Sequence, residues 1–451
     1  MEIACPLFKI AQNMQLYRLN DDLFSMKHTI SILTVLFVSL CSVKAQPDHI
    51  SSPDIKTVKF SVYGNQLAYP IWKLNSGDQL ALDFDDISGT VKNYSYTFQL
   101  YNADWSPAML SQFDYISGFS QVRISNYRVS SVAFTRYIHY QAVLPDRNCL
   151  PTRSGNYLVK VFLDNDTSKT VFTRRMLVID PKAEIGAQIL QPFNGQYNRT
   201  HQKIQLSVNT KSLNLMNAMQ QVHVCILQNN RWDNYLHDIK PTFIRQNTLE
   251  YNAENGCLFP GGREWRWLDL RSFRFQSDRV EKADYSNKAT TIYVKPDADR
   301  ALQRFVFYRD NNGMFYSEVS ESINPLWQAD YATVQFRYVP PGNKPFASKD
   351  LYLFGELSNY GDQDSAKMRF NEQTGQYETS LFLKQGYYNY AYVTTNKDRT
   401  NPSFELTEGN FWETENNYTI LVYYRPLGGR ADELIGYSFL NSLAGRPGVG
   451  F

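Results

Sequence analysis

The sequence predicts an all-β protein built from tandem immunoglobulin-like β-sandwich domains, and three observations carry that reading. With 31 Tyr and 28 Phe, aromatic residues make up 15% of the chain, and aromatic and β-branched side chains suit a pleated, half-buried surface. Apolar and polar residues alternate through short runs, which is the period of a strand with one buried face. Clusters of Gly, Asn, Asp and Ser separate those runs and supply the turn chemistry that hairpins need.

The strand-like runs of the first region are Val58 to Val62, Gln79 to Phe84, Tyr94 to Leu100, Tyr137 to Val143, Tyr157 to Phe162 and Met176 to Ile179. Asp85-Asp86, Ser154-Gly155-Asn156 and Asp164-Asn165-Asp166 punctuate them, and two antiparallel sheets packed face to face are the economical solution. Pro181 cannot continue a central strand, so it marks an exit. A second region then offers strands over Ile185 to Leu190, Ile204 to Val208, Val222 to Leu227, Ser272 to Phe275 and Thr291 to Val294, joined by long aromatic-rich loops. The expected layout is residues 46–180 as the first sandwich, 181–340 as a middle β domain and 341–451 as a C-terminal sandwich.

The N-terminus reads as an export signal. From Met26, MKHTISILTVLFVSLCSVKAQ has a Lys/His start, an apolar run from Ile30 to Leu40, and Val43 and Ala45 where a signal peptidase reads small residues. That run is shorter than the ~20 residues that span a bilayer. Residues 26–45 are therefore expected to be a signal peptide, with the mature chain starting near Gln46 and residues 1–25 an over-called start. Three cysteines remain after such cleavage, Cys149, Cys225 and Cys257. An odd count in an oxidising compartment leaves room for one bridge at most, with Cys225–Cys257 as the candidate.

A formal charge of +2 gives no basis for binding nucleic acid or anionic lipid. Enzyme chemistry has no foothold in the motifs. His49, His139, His201, His223 and His237 stand outside any H-E-x-x-H, C-x-x-C or H-x-E spacing, and there is no G-x-S-x-G elbow. Asp85-Asp86 and Asp104 suit turns and strand ends, and Asp164 and Asp166 fall short of the six to eight oxygens of a Ca²⁺ site. The reading is thus no catalytic residue, no cofactor, no metal and no small-molecule substrate. Trp, Tyr and Arg are enriched at binding hot spots, which makes Tyr101, Trp105, Arg123, Arg174 and Arg175 candidate partner contacts, together with Trp265 and Trp267 of the stretch PGGREWRWLDLRSF. Core positions suit these aromatics equally well, and Arg stems lying over Trp rings would account for the second stretch.

Two resemblances complete the reading. The ordered blocks IKTVKFSVYGNQLAYPIWKL, LALDFDDISG, NYSYTFQLYNADWSP, DYISGF, ISNYRVS and SGNYLVKVFLDNDTSKTVFTRRMLVID, between Ile55 and Asp180, resemble the N-terminal domain of the type IX secretion system plug family. That resemblance implies a periplasmic, non-enzymatic subunit, peripherally associated with the outer membrane, whose partner is the large translocon barrel protein and whose task is to keep its pore shut. Leu351 to Tyr360, Met368, Tyr377 to Lys384 and Gly386 to Val393 look like the strand order of starch- and glycogen-binding modules. This second likeness implies the alternative, a periplasmic carbohydrate-binding protein using its C-terminal module. Tyr360 stands there where the modules carry another aromatic, and their pair of sugar-stacking tryptophans is not identifiable.

Overall fold

A computed structural model describes residues 48–213, 215–286 and 289–444. The expected leader and the residues before it lie outside this range. Three β-sandwiches account for the described chain, as the fold class read from sequence requires. In the first, one sheet orders the strands His49–Ile50, Thr170–Ile179, Gly155–Leu163, Tyr94–Tyr101 and Val122–Arg123, with Ile71–Lys73 running parallel to Thr170–Ile179. The facing sheet orders Ile55–Val62, Leu80–Asp86, Ile138–Leu144 and Asn126–Val129. Between them lies an aromatic core in which the Phe84 ring sits 5.1 Å from Tyr94, 5.2 Å from Tyr140 and 5.0 Å from Phe172. Edge-on and offset contacts at such spacing stabilise by about 0.5–1.5 kcal/mol each beyond area burial.

Alternation explains the second sandwich equally well. Ile204, Leu206 and Val208 on the strand His201–Asn209 face Val224 and Ile226 on Val222–Gln228, with Tyr418, Ile420 and Val422 of Asn417–Tyr424 beside them. Val222–Gln228 pairs with Asn417–Tyr424, which pairs with Glu433–Asn441. The last two strands among the described residues therefore complete the second sandwich.

The third sandwich lies between. One of its sheets holds Val280–Asp284, Thr290–Val294, Tyr331–Val339, Gln376–Lys384 and Arg369–Asn371; the other holds Arg266–Asp269, Gly386–Thr395, Phe315–Ser317 and Asp350–Phe354. An expected boundary at 340/341 does not hold, because Tyr331–Val339 and Gln376–Lys384 are paired from Tyr331 opposite Lys384 to Tyr338 opposite Tyr377. The third sandwich is inserted into the second, entering after Pro260 and returning before Asn417. Two smaller expectations also fail: Ser272 to Phe275 is irregular, and Thr291 to Val294 belongs to the third sandwich. All three cysteines are free and buried. Cys225 and Cys257 cannot meet, because Cys225 points away from the core that Val224, Ile226 and Cys257 share.

Candidate interaction surface

The first sandwich touches both of the others, through two junctions of opposite character. Leu80–Asp86 is buried on both faces. Leu80, Leu82 and Phe84 enter the aromatic core, while Asp83 and Asp85 point toward the third sandwich. There Lys384 Nζ donates to Asp85 Oδ2 at 2.5 Å and the Tyr331 hydroxyl donates to the same oxygen at 2.5 Å; His139 Nδ1 lies 2.7 Å from Asp85 Oδ1. Burial alone would raise the Asp85 carboxyl, but the charge of Lys384 and bonds from His139 and Lys384 outweigh it and hold the group below its ordinary range. Burial likewise lowers Lys384, against the pull of Asp85. A second pair, buried Lys59 with half-buried Glu356 at 2.5 Å, stands on the same junction, and Lys59 also donates to the Phe315 carbonyl at 2.8 Å. Lys59 follows a bulge at which Thr57 takes φ +48°, strain for a β-branched residue; its hydroxyl lies 2.7 Å from that of Tyr331.

Asp85 is thus an interdomain anchor, where turn chemistry was expected. Its neighbour Asp86 does make the turn, accepting from the Ser88 amide at 2.9 Å, and Asp104 accepts from the Ser106 amide at 2.9 Å.

The other junction is aromatic. The Arg175 guanidinium lies against two indoles, 4.9 Å from the Trp105 ring and 5.2 Å from Trp232, and pairs with Asp48 at 2.6 Å. Trp105 and Trp232 meet edge to face at 5.0 Å, and Trp232 Nε1 donates to the Tyr69 hydroxyl at 2.7 Å. Tyr101 tilts against Trp105 at 6.0 Å. Tyr101, Trp105 and Arg175 are therefore brought together, but against this chain's own second sandwich. Arg174 faces a cavity of about 330 Å³ between the first and third sandwiches, lined also by Lys56, Thr57, Glu356 and Phe382. Arg123 is exposed and bonds Asn93. Trp265 is buried, stacked 6.2 Å from Phe354, and Trp267 is half-buried against Tyr308 at 5.1 Å with Arg279 over its ring. Of the seven candidates, only Arg123 is an exposed residue.

The most exposed apolar residues of the first sandwich lie elsewhere. Met109, Phe113, Phe119, Val132 and Phe134 are 69–91% exposed, all between the strands Tyr94–Tyr101 and Ile138–Leu144. In the same stretch Asn126–Val129 is the edge of its sheet and exposed at all four positions, Tyr127 and Val129 included. An exposed edge strand offers unpaired backbone groups to a partner. Sequence reasoning missed these residues because they do not alternate. Their signal was the opposite: large apolar residues scattered through a Ser-, Gly- and Asn-rich stretch with no strand period.

The C-terminal aromatics do not form a sugar platform. Tyr352, Phe354, Tyr390 and Tyr392 are buried, Tyr360 packs on Phe354 at 5.6 Å and Tyr387 stacks on Tyr316 at 5.6 Å. Carbohydrate binding needs open aromatic faces, so these rings lend it no support. Among the described residues, no helix is long and apolar enough to cross a membrane.

Comparison with known proteins agrees with the first of the two resemblances. Residues 55–180 match the family described as Type 9 secretion system plug protein 1st domain. No curated protein matches the chain. Among solved structures, a hypothetical protein from Parabacteroides merdae ATCC 43184, crystallised and determined at 2.30 Å resolution, is similar at 29% identity and a TM-score of 0.84. The likeness covers 87% of this chain and 98% of that one, a share too large to leave out any of the three sandwiches.

Proposed function

We propose that this chain is a non-enzymatic periplasmic plug of the type IX secretion system, closing the periplasmic end of the outer-membrane translocon barrel. The observation that carries the proposal is the coincidence of two features in one segment. The part matching the plug first domain, residues 55–180, is also where Met109, Phe113, Phe119, Val132 and Phe134 stand out into solvent and where the edge strand Asn126–Val129 is exposed. Exposed apolar groups rimmed by polar residues mark interaction sites, and a plug must bind its pore reversibly through a modest patch of this kind. Rigid sandwiches locked by buried polar bonds suit a stopper, since a body that deforms would leak. Tyr101, Trp105 and Arg175 then serve the contact between the plug's own first and second sandwiches, and the docking role passes to the exposed apolar residues.

Affinity purification of the tagged protein from gently solubilised envelopes, followed by mass spectrometry, tests this reading. A very large outer-membrane barrel should accompany the protein in near-equal amount, and Phe113→Ser with Phe119→Ser should remove it while leaving the thermal midpoint unchanged. Absence of any barrel, with retention on a starch matrix instead, would move the protein to the carbohydrate-binding class.

A further inference from the structure

Arg174 stands where alternation calls for an apolar side chain. On the strand Thr170–Ile179, Phe172, Met176 and Val178 enter the aromatic core of the first sandwich, and a residue two positions from both Phe172 and Met176 shares their face. A guanidinium drawn out of water on that face is costly unless its charge is answered. Arg174 finds only part of an answer: Nη1 donates to the Thr173 carbonyl at 2.9 Å, and the group lies 5.9 Å from the Phe172 ring. Among the described residues no carboxylate forms an ion pair with it. The three acidic groups whose charge reaches it are engaged by other side chains, Asp48 by Arg175 at 2.6 Å, Glu356 by Lys59 at 2.5 Å and Asp362 by His49 Nδ1 at 2.9 Å. Burial therefore lowers the guanidinium against the pull of all three.

The cavity that Arg174 faces has the composition of a ligand site. Its volume of about 330 Å³ suits a small organic molecule, and junctions between domains are where such pockets concentrate. Lys56 lines it too, with no side-chain hydrogen bond or ion pair among the described residues; burial lowers its ammonium against the charge of Asp54, which pairs with Lys92 at 3.3 Å. Among the described lining residues Glu356 alone is acidic, and besides Lys59 it accepts from the Phe315 amide at 3.0 Å. The cavity thus holds two cations, while its one carboxylate is committed to a third. Gln363, Ser365 and Ser380 add neutral polar groups, with Ser365 and Ser380 exposed at the mouth. Ile55, Phe315, Leu381, Phe382 and Tyr388 supply an apolar wall. Thr57, strained at φ +48°, lines the same space, and strain of this kind clusters at ligand clamps.

We propose that this cavity binds a small organic carboxylate with an apolar body, its charged end on Arg174 and Lys56 and its body against Phe315, Phe382 and Tyr388. The planar guanidinium matches a carboxylate through two parallel hydrogen bonds. Inorganic phosphate would answer the charge and leave the apolar wall facing water. Arg174 and Lys56 belong to the first sandwich and the three rings to the third, so a bound molecule fastens one sandwich to the other. Nothing in this site depends on a pore-closing role.

Calorimetric titration of the purified protein with octanoate, phenylacetate and N-acetylphenylalanine, each beside its uncharged amide, tests the site, with inorganic phosphate as a further probe and the thermal midpoint read in parallel. At least one carboxylate should bind saturably at millimolar concentration or below and raise the midpoint by several degrees, while its amide does neither. Arg174→Gln should weaken that binding at least about tenfold, Lys56→Gln should weaken it less, and Arg123→Gln, at the exposed arginine of the same sandwich, should leave it unchanged. The ligand-free Arg174→Gln protein should melt no lower than the parent, because no ion pair is lost. Should that variant fail to fold, the titration of Lys56→Gln decides. Saturable binding of none of the three carboxylates, or of an amide as tightly as its acid, would overturn the proposal. So would binding of phosphate alone, or parental affinity in both Arg174→Gln and Lys56→Gln, which would place the anion elsewhere.

Discussion

The first sandwich is held to its two neighbours by different physics. Toward the third sandwich the contact is ionic: Lys384 and Asp85, each 1% exposed, with Lys59 and Glu356 nearby. Toward the second it is a guanidinium packed against two indoles, with an ion pair to Asp48 at its rim. Buried charges define a geometry sharply because any misalignment leaves a desolvated charge alone. Aromatic and guanidinium surfaces tolerate sliding, since their attraction falls off gently with position. The ionic junction should therefore govern how rigidly the body holds together, and the aromatic one should absorb small movements.

The largest expected effect comes from removing one partner of the ionic junction. Lys384→Met leaves Asp85 buried and uncompensated, and should cost about 3–5 kcal/mol in urea unfolding. Adding Asp85→Leu to that variant should restore much of the loss; a double variant as unstable as the single one would show that packing matters there more than charge. Trp232→Ala, in the aromatic junction, should cost about 3 kcal/mol by opening a cavity and should loosen the second sandwich from the first, read as faster amide exchange over Leu177 and Ile179. A subtler probe is Arg175→Lys, which keeps the charge beside Asp48 and loses the flat face against the indoles; it should cost about 1 kcal/mol in urea unfolding.

The smallest effect is one of pH. Burial would lower His139, but bonds to Asp83 and Asp85 and the charge of Asp85 outweigh it, so the imidazole sits above its ordinary value of 6.5. A raised group contributes stability that is complete below the unfolded value and is lost as pH rises through the folded one. The urea midpoint of the parent should therefore fall as pH is raised above about 6.5, and His139→Gln should remove that part of the slope. A parent and a variant with parallel pH profiles would place the dependence on another group.

Much of the architecture was legible in the chain. Tyr94–Tyr101 and Gly155–Leu163 alternate so regularly that their strands could be read directly, and the blocks from Ile55 to Asp180 named a family that the comparison then matched. Alternation works because a strand's two faces are set by the backbone alone. The candidate contacts fared differently. Trp105 and Arg175 have the residue types of a docking surface, and nothing local distinguishes a surface turned to a partner from one turned to another domain of the same chain.

Which strands join which sheet is a question of long-range pairing. Nothing near Asn417 announces that its strand returns to Val222–Gln228 across an inserted sandwich, because register is a property of two segments together. Asp85 reads as a turn residue until Lys384 is brought to it from 299 positions away, and Arg174 and Lys56 come to line one cavity only when the third sandwich is laid against the first. The local pattern thus decides strand, turn and buried face, since these depend on neighbours along the chain. Partnership between charges, and the line between an inner and an outer surface, depend on neighbours in space, and for those the chain had first to fold.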